Sequence, residues 1–173
     1  MASSLEKVRL YEEGQEEVTT VSGSESVPVD FEIHDLLSHL LRRAHFHAES
    51  EFGEVYGDLE ATSRQLALLF TINRMPGSSQ TQLAEAVGVD LNTLSDLAKR
   101  SERKNLLKRV RSDQDQRAFH LYLTEEGKAM VRQAAVVTPD YQARIARRLS
   151  GSESDALVSL LCKMLGLDRN DKV

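Results

Sequence analysis

Apolar positions recur along this chain in two periods, and the change from one to the other marks its elements. Between Phe31 and Tyr56, residues Leu37, Leu40, Leu41, Ala44, Ala48, Phe52 and Val55 fall on one stripe at 3.6-residue spacing, which predicts a long amphipathic helix. Asp30 stands in front of it as an N-cap. "GDLEATSRQ" reads as a loop, and Thr62 with Gln65 makes a capping box that opens a second helix carrying Leu66, Leu69, Phe70 and Ile72. Pro76-Gly77 stops that helix. Ser79 with Gln82 is a second box, starting the short helix "TQLAEAV" that ends at Gly88. Only Val89 separates that glycine from Asp90, the cap of another helix, "LNTLSDLAKRSERK". Two helices joined by a tight glycine-containing turn make a helix-turn-helix candidate.

The period then changes to two. "LLKRVR" and "AFHLYL" flank the polar stretch "SDQDQR", and Phe119, Leu121 and Leu123 alternate with Ala118, His120 and Tyr122, as a half-buried strand requires. Thr124 caps a long closing helix, "EEGKAMVRQAAVVTPDYQARIARRL", in which Pro139 predicts a kink or a break. "SGSES" is a turn, and Ser152 with Asp155 is expected to open the last helix, "ALVSLLCKML". The order gives a mainly α chain with a small β-hairpin: a winged helix-turn-helix lobe flanked by N- and C-terminal helices. The expected boundaries are a weakly ordered acidic arm over 1–30 and a first helix over 31–61. The winged lobe follows over 62–123, then C-terminal helices over 124–173. The terminal helices are expected to supply a dimerisation surface.

Composition narrows the function classes. A chain of 173 residues is one domain of ordinary size, with or without an appendage. With 40% apolar residues, 5% aromatics and no tryptophan, its core must be aliphatic. The single cysteine, Cys162, excludes an internal disulfide framework and fits a reducing compartment. The longest apolar run found, "LALLF", is far too short for a membrane span, and the N-terminus carries no apolar signal region. A cytoplasmic location without a membrane partner is the expectation. No serine or cysteine nucleophile motif and no phosphate loop is present, so a small hydrolase or transferase is disfavoured and no cofactor is expected. His45, His47, Glu51 and Cys162 are metal-ligand types, but His45 and His47 lie about 160° apart on a helix. No metal site is expected.

Charge is unevenly placed. The chain carries −5 overall, yet Lys99 to Arg117 holds eight Lys/Arg against three Asp/Glu. Residues 1–30 hold seven acids and two bases. Local asymmetry of this kind says more about partners than net charge does. At 100° per residue, Leu91, Leu94, Leu97 and Ala98 form the predicted buried stripe of the second helix of the pair. The opposite side carries Asn92, Thr93, Asp96, Lys99, Arg100 and Arg103. Asn pairs with adenine and Arg or Lys with guanine, Thr contacts a thymine methyl, and the cations neutralise phosphates. A solvated charged face is the common explanation of a single amphipathic helix; the capped helix and tight turn before it favour DNA reading here. Asp96 either accepts from a cytosine amino group or, as we favour, pairs with Lys99 or Arg100 one turn on.

The hairpin adds a second DNA-facing element. Arg117 at its tip is long enough to enter a minor groove, and Asp115 two residues away can hold its guanidinium; Arg111 flanks the same turn. A surface ion pair in a turn is the bland alternative, worth at most ~1 kcal/mol. The combination of Asp115-x-Arg117, an alternating strand and Leu123-Thr124-x-x-Gly127, with "LLKR" upstream, resembles the wing of the MarR family of bacterial transcription regulators. The likeness covers about residues 33–167. Three positions depart from the family pattern. Asn105 stands where a glycine usually ends the recognition helix, and asparagine also tolerates the left-handed conformation. Ser101 replaces a usual leucine on the core-facing stripe, weakening packing or placing a polar group against a cavity. Ser95-Asp96 stands where Thr-Arg is frequent, so base contacts do not transfer there. "NTLSD" is similar to a branch that controls breakdown of aromatic acids, including regulators that sense aryl-CoA thioesters.

The resemblance implies a homodimeric, ligand-responsive DNA-binding regulator, most often a repressor, on a palindromic double-stranded operator. Its small phenolic or acyl ligands would lie between the first helix and the DNA-binding lobe. There, opposite the leucine stripe, cluster His39, Arg42, Arg43 and Phe46. The arginines could hold a carboxylate or CoA phosphates, and Phe46 with the histidines a ring. A polar subunit interface explains the same residues without a ligand. A constitutive winged-helix protein without an effector is the alternative function.

Overall fold

The structure, a computed structural model, describes residues 30–111 and 119–167. The expected arm, apart from Asp30, and the tip of the hairpin lie outside them. The chain divides into two units, Met1–Leu40 and Leu41–Val173. In the first, Ile33–Asp35 form a single 3-10 turn and Leu36 is extended at φ −80° and ψ 109°. Helix α1, Leu37–Tyr56, starts only after that residue, so Asp30 is not its cap. Phe31 and Ile33 are exposed, and no burial offsets the entropy of ordering a further helical turn there.

In the second unit, α2 (Ser63–Arg74) is the central helix. It packs against α3 (Gln80–Val87), α4 (Leu91–Arg103), α5 (Glu125–Ile145) and strand β2 (Phe119–Leu123). Leu68, Leu69, Ile72, Leu83, Leu94 and Leu121 are fully buried around it. The predicted capping boxes at Thr62/Gln65 and Ser79/Gln82 both form, and Gly88 ends α3 at φ 76°. β1 (Leu107–Arg111) pairs antiparallel with β2, from Leu107 opposite Leu123 to Arg111 opposite Phe119. Leu107, Arg109 and Arg111 therefore share a face with Leu123, Leu121 and Phe119. The turn before α3 adds a short third edge to this hairpin. Gly77 N donates to Leu121 O (3.0 Å) and Leu121 N to Ser78 O (3.1 Å), with a bridge between Ser79 and His120. Two strands alone are marginal in water, so this anchorage gives the wing a fixed root.

Three features of the sequence acquire physical reasons. Asn105 takes φ +56°, the left-handed conformation expected of it. Gly127 is buried, and a Cβ there would collide with the backbone carbonyl oxygen of Leu106; a glycine is required where α5 crosses the start of β1. Ser101 is 0% exposed, and its Oγ has no hydrogen-bond partner. Leu91, expected in the buried stripe of α4, is instead 50% exposed. At the first turn of the helix it lies beyond the reach of the core that covers Leu94 and Leu97.

α5 runs through Pro139 uninterrupted. Thr138 Oγ1 donates to Ala134 O (2.9 Å), which leaves Tyr56 OH to donate to Thr138 Oγ1 (2.9 Å). Tyr141, on the far side of the proline, donates to Ala48 O (3.2 Å) and sits edge-on to Phe52 and Tyr56. Bonds on both sides thus hold the helix in register across the missing amide. Burial, with Glu49 and Tyr56 adding to it, raises the Tyr141 phenol above its ordinary range. α6, Gly151–Leu165, is opened by a capping box of Ser150 and Glu153, not by Ser152 and Asp155. Ser150 N donates to Glu153 (2.8 Å) while Glu153 N donates to Ser150 Oγ (3.3 Å). Satisfying both amides at once fixes the helix start two residues earlier. No residue of α6 is buried. Among the described residues no helix is long and apolar enough to cross a membrane.

Candidate nucleic-acid interface

The second helix of the pair is held by its cap. Asp90 accepts from the backbone amide of Thr93 (2.9 Å) and from its hydroxyl (2.6 Å). These bonds, the hydroxyl's foremost, pull the Asp90 carboxyl below its ordinary value. Leu94, Leu97, Ala98 and Ser101 face inward. Asn92, Asp96, Lys99, Arg100 and Arg103 are exposed together on the other side, with Thr93 half-buried beside them.

The positive charge of this region is not all available. Lys99 Nζ lies 3.6 Å from Asp96 Oδ1, and Arg100 Nε donates to the Asp96 carbonyl (3.3 Å). Asp96 thus has the neighbours its pairing role needs. Lys104 Nζ donates to Glu60 O (2.6 Å), tying the end of α4 to the loop before α2. Lys108 lies over the Tyr122 ring at 5.9 Å. Arg109 is taken up by Glu102, whose Oε2 accepts from Nε (2.7 Å) and lies 2.6 Å from Nη2 in an ion pair. Arg103 is exposed without a hydrogen bond or ion pair among the described residues, and Arg111 is exposed on β1. Asp115 and Arg117 lie outside the described residues.

A cleft of about 630 Å³ opens beside the N-terminal end of α4. His45, Ser63 and Arg64 line one side, Asp90 and Thr93 another, and Ala67, Val87 and Val89 give it apolar surface. Thr93 therefore belongs both to this cleft and to the edge of the polar face of α4. Of the residues expected to meet a ligand, Arg42, Arg43 and Phe46 are exposed on α1 and do not line this cleft; the Phe46 ring is 5.9 Å from His45. His39 belongs to the other unit, its ring 6.0 Å from His34. Sequence reasoning missed Arg64, Ser63 and Asp90 as cleft residues, because the wall is assembled from segments whose spacing carries no signal. Among the described residues no three His, Cys, Asp or Glu side chains come together to hold a metal.

A capped helix with a polar outer face, a tight turn before it and an anchored hairpin after it define a winged helix-turn-helix DNA-binding protein. Comparison with known proteins agrees: the profile of the MarR family, a family of transcription regulators, matches residues 61–119. Among solved structures it is similar to the PcaV transcriptional regulator of Streptomyces coelicolor, solved with its natural ligand. That likeness has 27% identity over 80% of this chain and 98% of the other, with a TM-score of 0.75. BpsR of Bordetella bronchiseptica, whose DNA binding is regulated by 6-hydroxynicotinic acid, is 26% identical over 74% and 97%, with a TM-score of 0.70. The transcriptional repressor CouR, solved on a 23-mer DNA duplex, is 26% identical over 81% and 99%, with a TM-score of 0.72.

Proposed function

We propose that the protein is a homodimeric repressor of a catabolic operon, released from a palindromic operator by an aromatic acid or an aryl-CoA thioester. The observation that carries this reading is the double membership of Thr93, in the cleft and at the edge of the DNA-facing side of α4. A volume of about 630 Å³ lies within the range of small-molecule sites. Arg64 offers a cationic partner for a carboxylate and His45 a ring nitrogen beside it, and the apolar wall accepts a ring. Arg42 and Arg43 remain the proposed anchors for CoA phosphates, and Phe46 and, on the sequence alone, His39 for a ring.

Asn92, Lys99, Arg100, Arg103, Arg111 and Arg117 would contact bases and phosphates, Asp96 would orient its neighbours, and Asp115 would steady Arg117. Because the Thr93 hydroxyl is held by Asp90, its methyl is the group available to a base edge. An occupant pressing on Asp90 or Thr93 would disturb the cap and shift α4, provided it binds the two states with different affinity. The dimer is supported by the uncovered leucines of α6, and two recognition helices would meet successive major grooves ~34 Å apart.

The test starts from a duplex enriched by the purified protein from a random-sequence pool. Thermal-shift measurements against aromatic acids and their CoA thioesters should yield a stabilising compound that also releases this duplex. Arg64→Ala should lose the stabilisation while still binding DNA. Affinity indifferent to every compound in both sets would mark a constitutive DNA-binding protein instead.

A further inference from the structure

β2 is held on two sides, by β1 and by the turn at residues 77–79, whereas β1 is the outer strand of the wing. Its inward face starts on the buried Leu107 and continues as Arg109 and Arg111. Arg109 thus stands between the buried Leu107 and the exposed Arg111. Its guanidinium does not turn to solvent. Nε and Nη2 converge on Glu102 Oε2 of α4 at 2.7 and 2.6 Å, and the guanidinium lies over the Phe119 ring at 5.2 Å. The two charged side chains are only 23% and 36% exposed. Arg111 lies over the same ring at 5.8 Å and leaves its own group exposed.

We propose that Glu102 and Arg109 are positioning residues for DNA recognition: their ion pair, seated on Phe119, sets the wing against the recognition helix and presents Arg111 beside it. The idea presupposes that α4 and the wing contact DNA, and it assigns roles to two residues outside that contact. A two-stranded ribbon twists and flexes easily. An ion pair that reaches from α4 to its outer strand, with one charge-assisted hydrogen bond and a second close contact to the planar guanidinium, restricts that motion. Glu102 is an acid beside a surface that must accept phosphate, where electrostatics alone would disfavour it. The position is intelligible if the carboxylate directs its charge to Arg109 instead of to the DNA.

The sign of one substitution decides the matter. Binding to the duplex enriched by the wild-type protein is measured by fluorescence anisotropy over a range of salt concentrations. Wild-type binding reports on the DNA reading itself, and the ratio of variant to wild type reports on the brace. Glu102→Gln should weaken binding about tenfold, the scale of one missing charge-assisted hydrogen bond, with an unchanged log–log salt slope and an unchanged thermal melt. Arg109→Lys, which keeps the charge but cannot set two nitrogens on one oxygen, should do the same. The double variant Glu102→Gln/Arg109→Gln should be no weaker than Arg109→Gln alone. Arg111→Ala, as a control for a residue that meets DNA directly, should instead flatten the slope by about 0.9 for each phosphate it no longer neutralises. Tighter or equal binding by Glu102→Gln, as expected from merely removing a negative charge, overturns the proposal. So does a flattened slope in Arg109→Lys, which would make Arg109 a phosphate ligand.

Discussion

In the winged lobe Leu69, Leu83, Leu94 and Leu121 are wholly buried, whereas in α6 Leu160 and Leu165 are 65% and 63% exposed and no residue is fully buried. The two regions use the same residue type. The difference is whether the chain supplies the second surface. In the lobe α2 is surrounded by helices and a strand that each bring an apolar face, so its leucines find partners within one molecule. α6 brings a comparable face, of which Leu161 and Cys162 are only half-buried and the rest is exposed. Stability of the fold and the dimerisation proposed for α6 therefore belong to different places and should break separately.

The largest effects belong to the closed side of this comparison. Leu121→Ala should lower unfolding free energy by about 2–5 kcal/mol in urea titrations, whereas Leu160→Ala should fall within about 0.5 kcal/mol at concentrations that keep the chain monomeric. Gly127→Ala tests the same core through the backbone. Because the added methyl meets the Leu106 carbonyl and not a yielding side chain, its cost should reach or exceed the ~1–3 kcal/mol usual for overpacking. Equal losses at positions 121 and 160 would erase the distinction between the two regions.

Next comes the open side. Leu160→Asp with Leu165→Asp should convert a dimer to a monomer in sedimentation equilibrium while hydrogen-exchange protection in α2 and α4 stays unchanged. A wild-type protein that sediments as a monomer at every concentration would remove α6 from the dimerisation role proposed for it.

Much of the lobe was legible because its signals are local. The boxes at Thr62 and Ser79, the caps at Asp90 and Thr124, and the turn at Gly88 each need only three or four residues to be recognised, and all form. The alternation in β2 was readable for the same reason. What failed depends on distant partners. Nothing near Phe31 tells that the helix waits until Leu37, and nothing near Leu91 tells that the core ends short of it. Pro139 was a local breaker overruled in part by Tyr56, whose partner Thr138 lies 82 positions further along the chain. The choice between Ser150 and Ser152 was local but degenerate, since both stand three residues before an acid. The candidate site divides likewise: the outer face of α4 follows from helical geometry, while the cleft and the Glu102–Arg109 pair join segments whose meeting only the fold determines.

Ser101 sharpens the comparison from inside the closed region, since even there the packing is incomplete. Its hydroxyl is buried without a partner at the C-terminal end of α4, and serine is also a weaker helix former than alanine. Ser101→Ala should raise stability by about 1 kcal/mol, read as a higher urea midpoint at unchanged m-value. A loss of stability would mean that the hydroxyl has a partner in solution.

The smallest effect expected is an acid sensitivity of the recognition helix that the core does not share. The folded Asp90 carboxyl titrates below its ordinary 3.8, because the Thr93 hydroxyl and amide stabilise the ionised form. Its contribution is therefore complete above that value and is lost as pH falls through the folded pKa. Protection of the Thr93 amide against hydrogen exchange, corrected for intrinsic rates, should decline over this acid range while that of Leu69 stays level. Asparagine is also an effective N-cap but does not ionise, so Asp90→Asn should keep the helix start and abolish the pH dependence. Asp90→Ala should lower Thr93 protection at neutral pH already. If acid reduces Thr93 protection equally in the wild type and in Asp90→Asn, the sensitivity arises elsewhere and the cap does not control the end of the helix that borders the cleft.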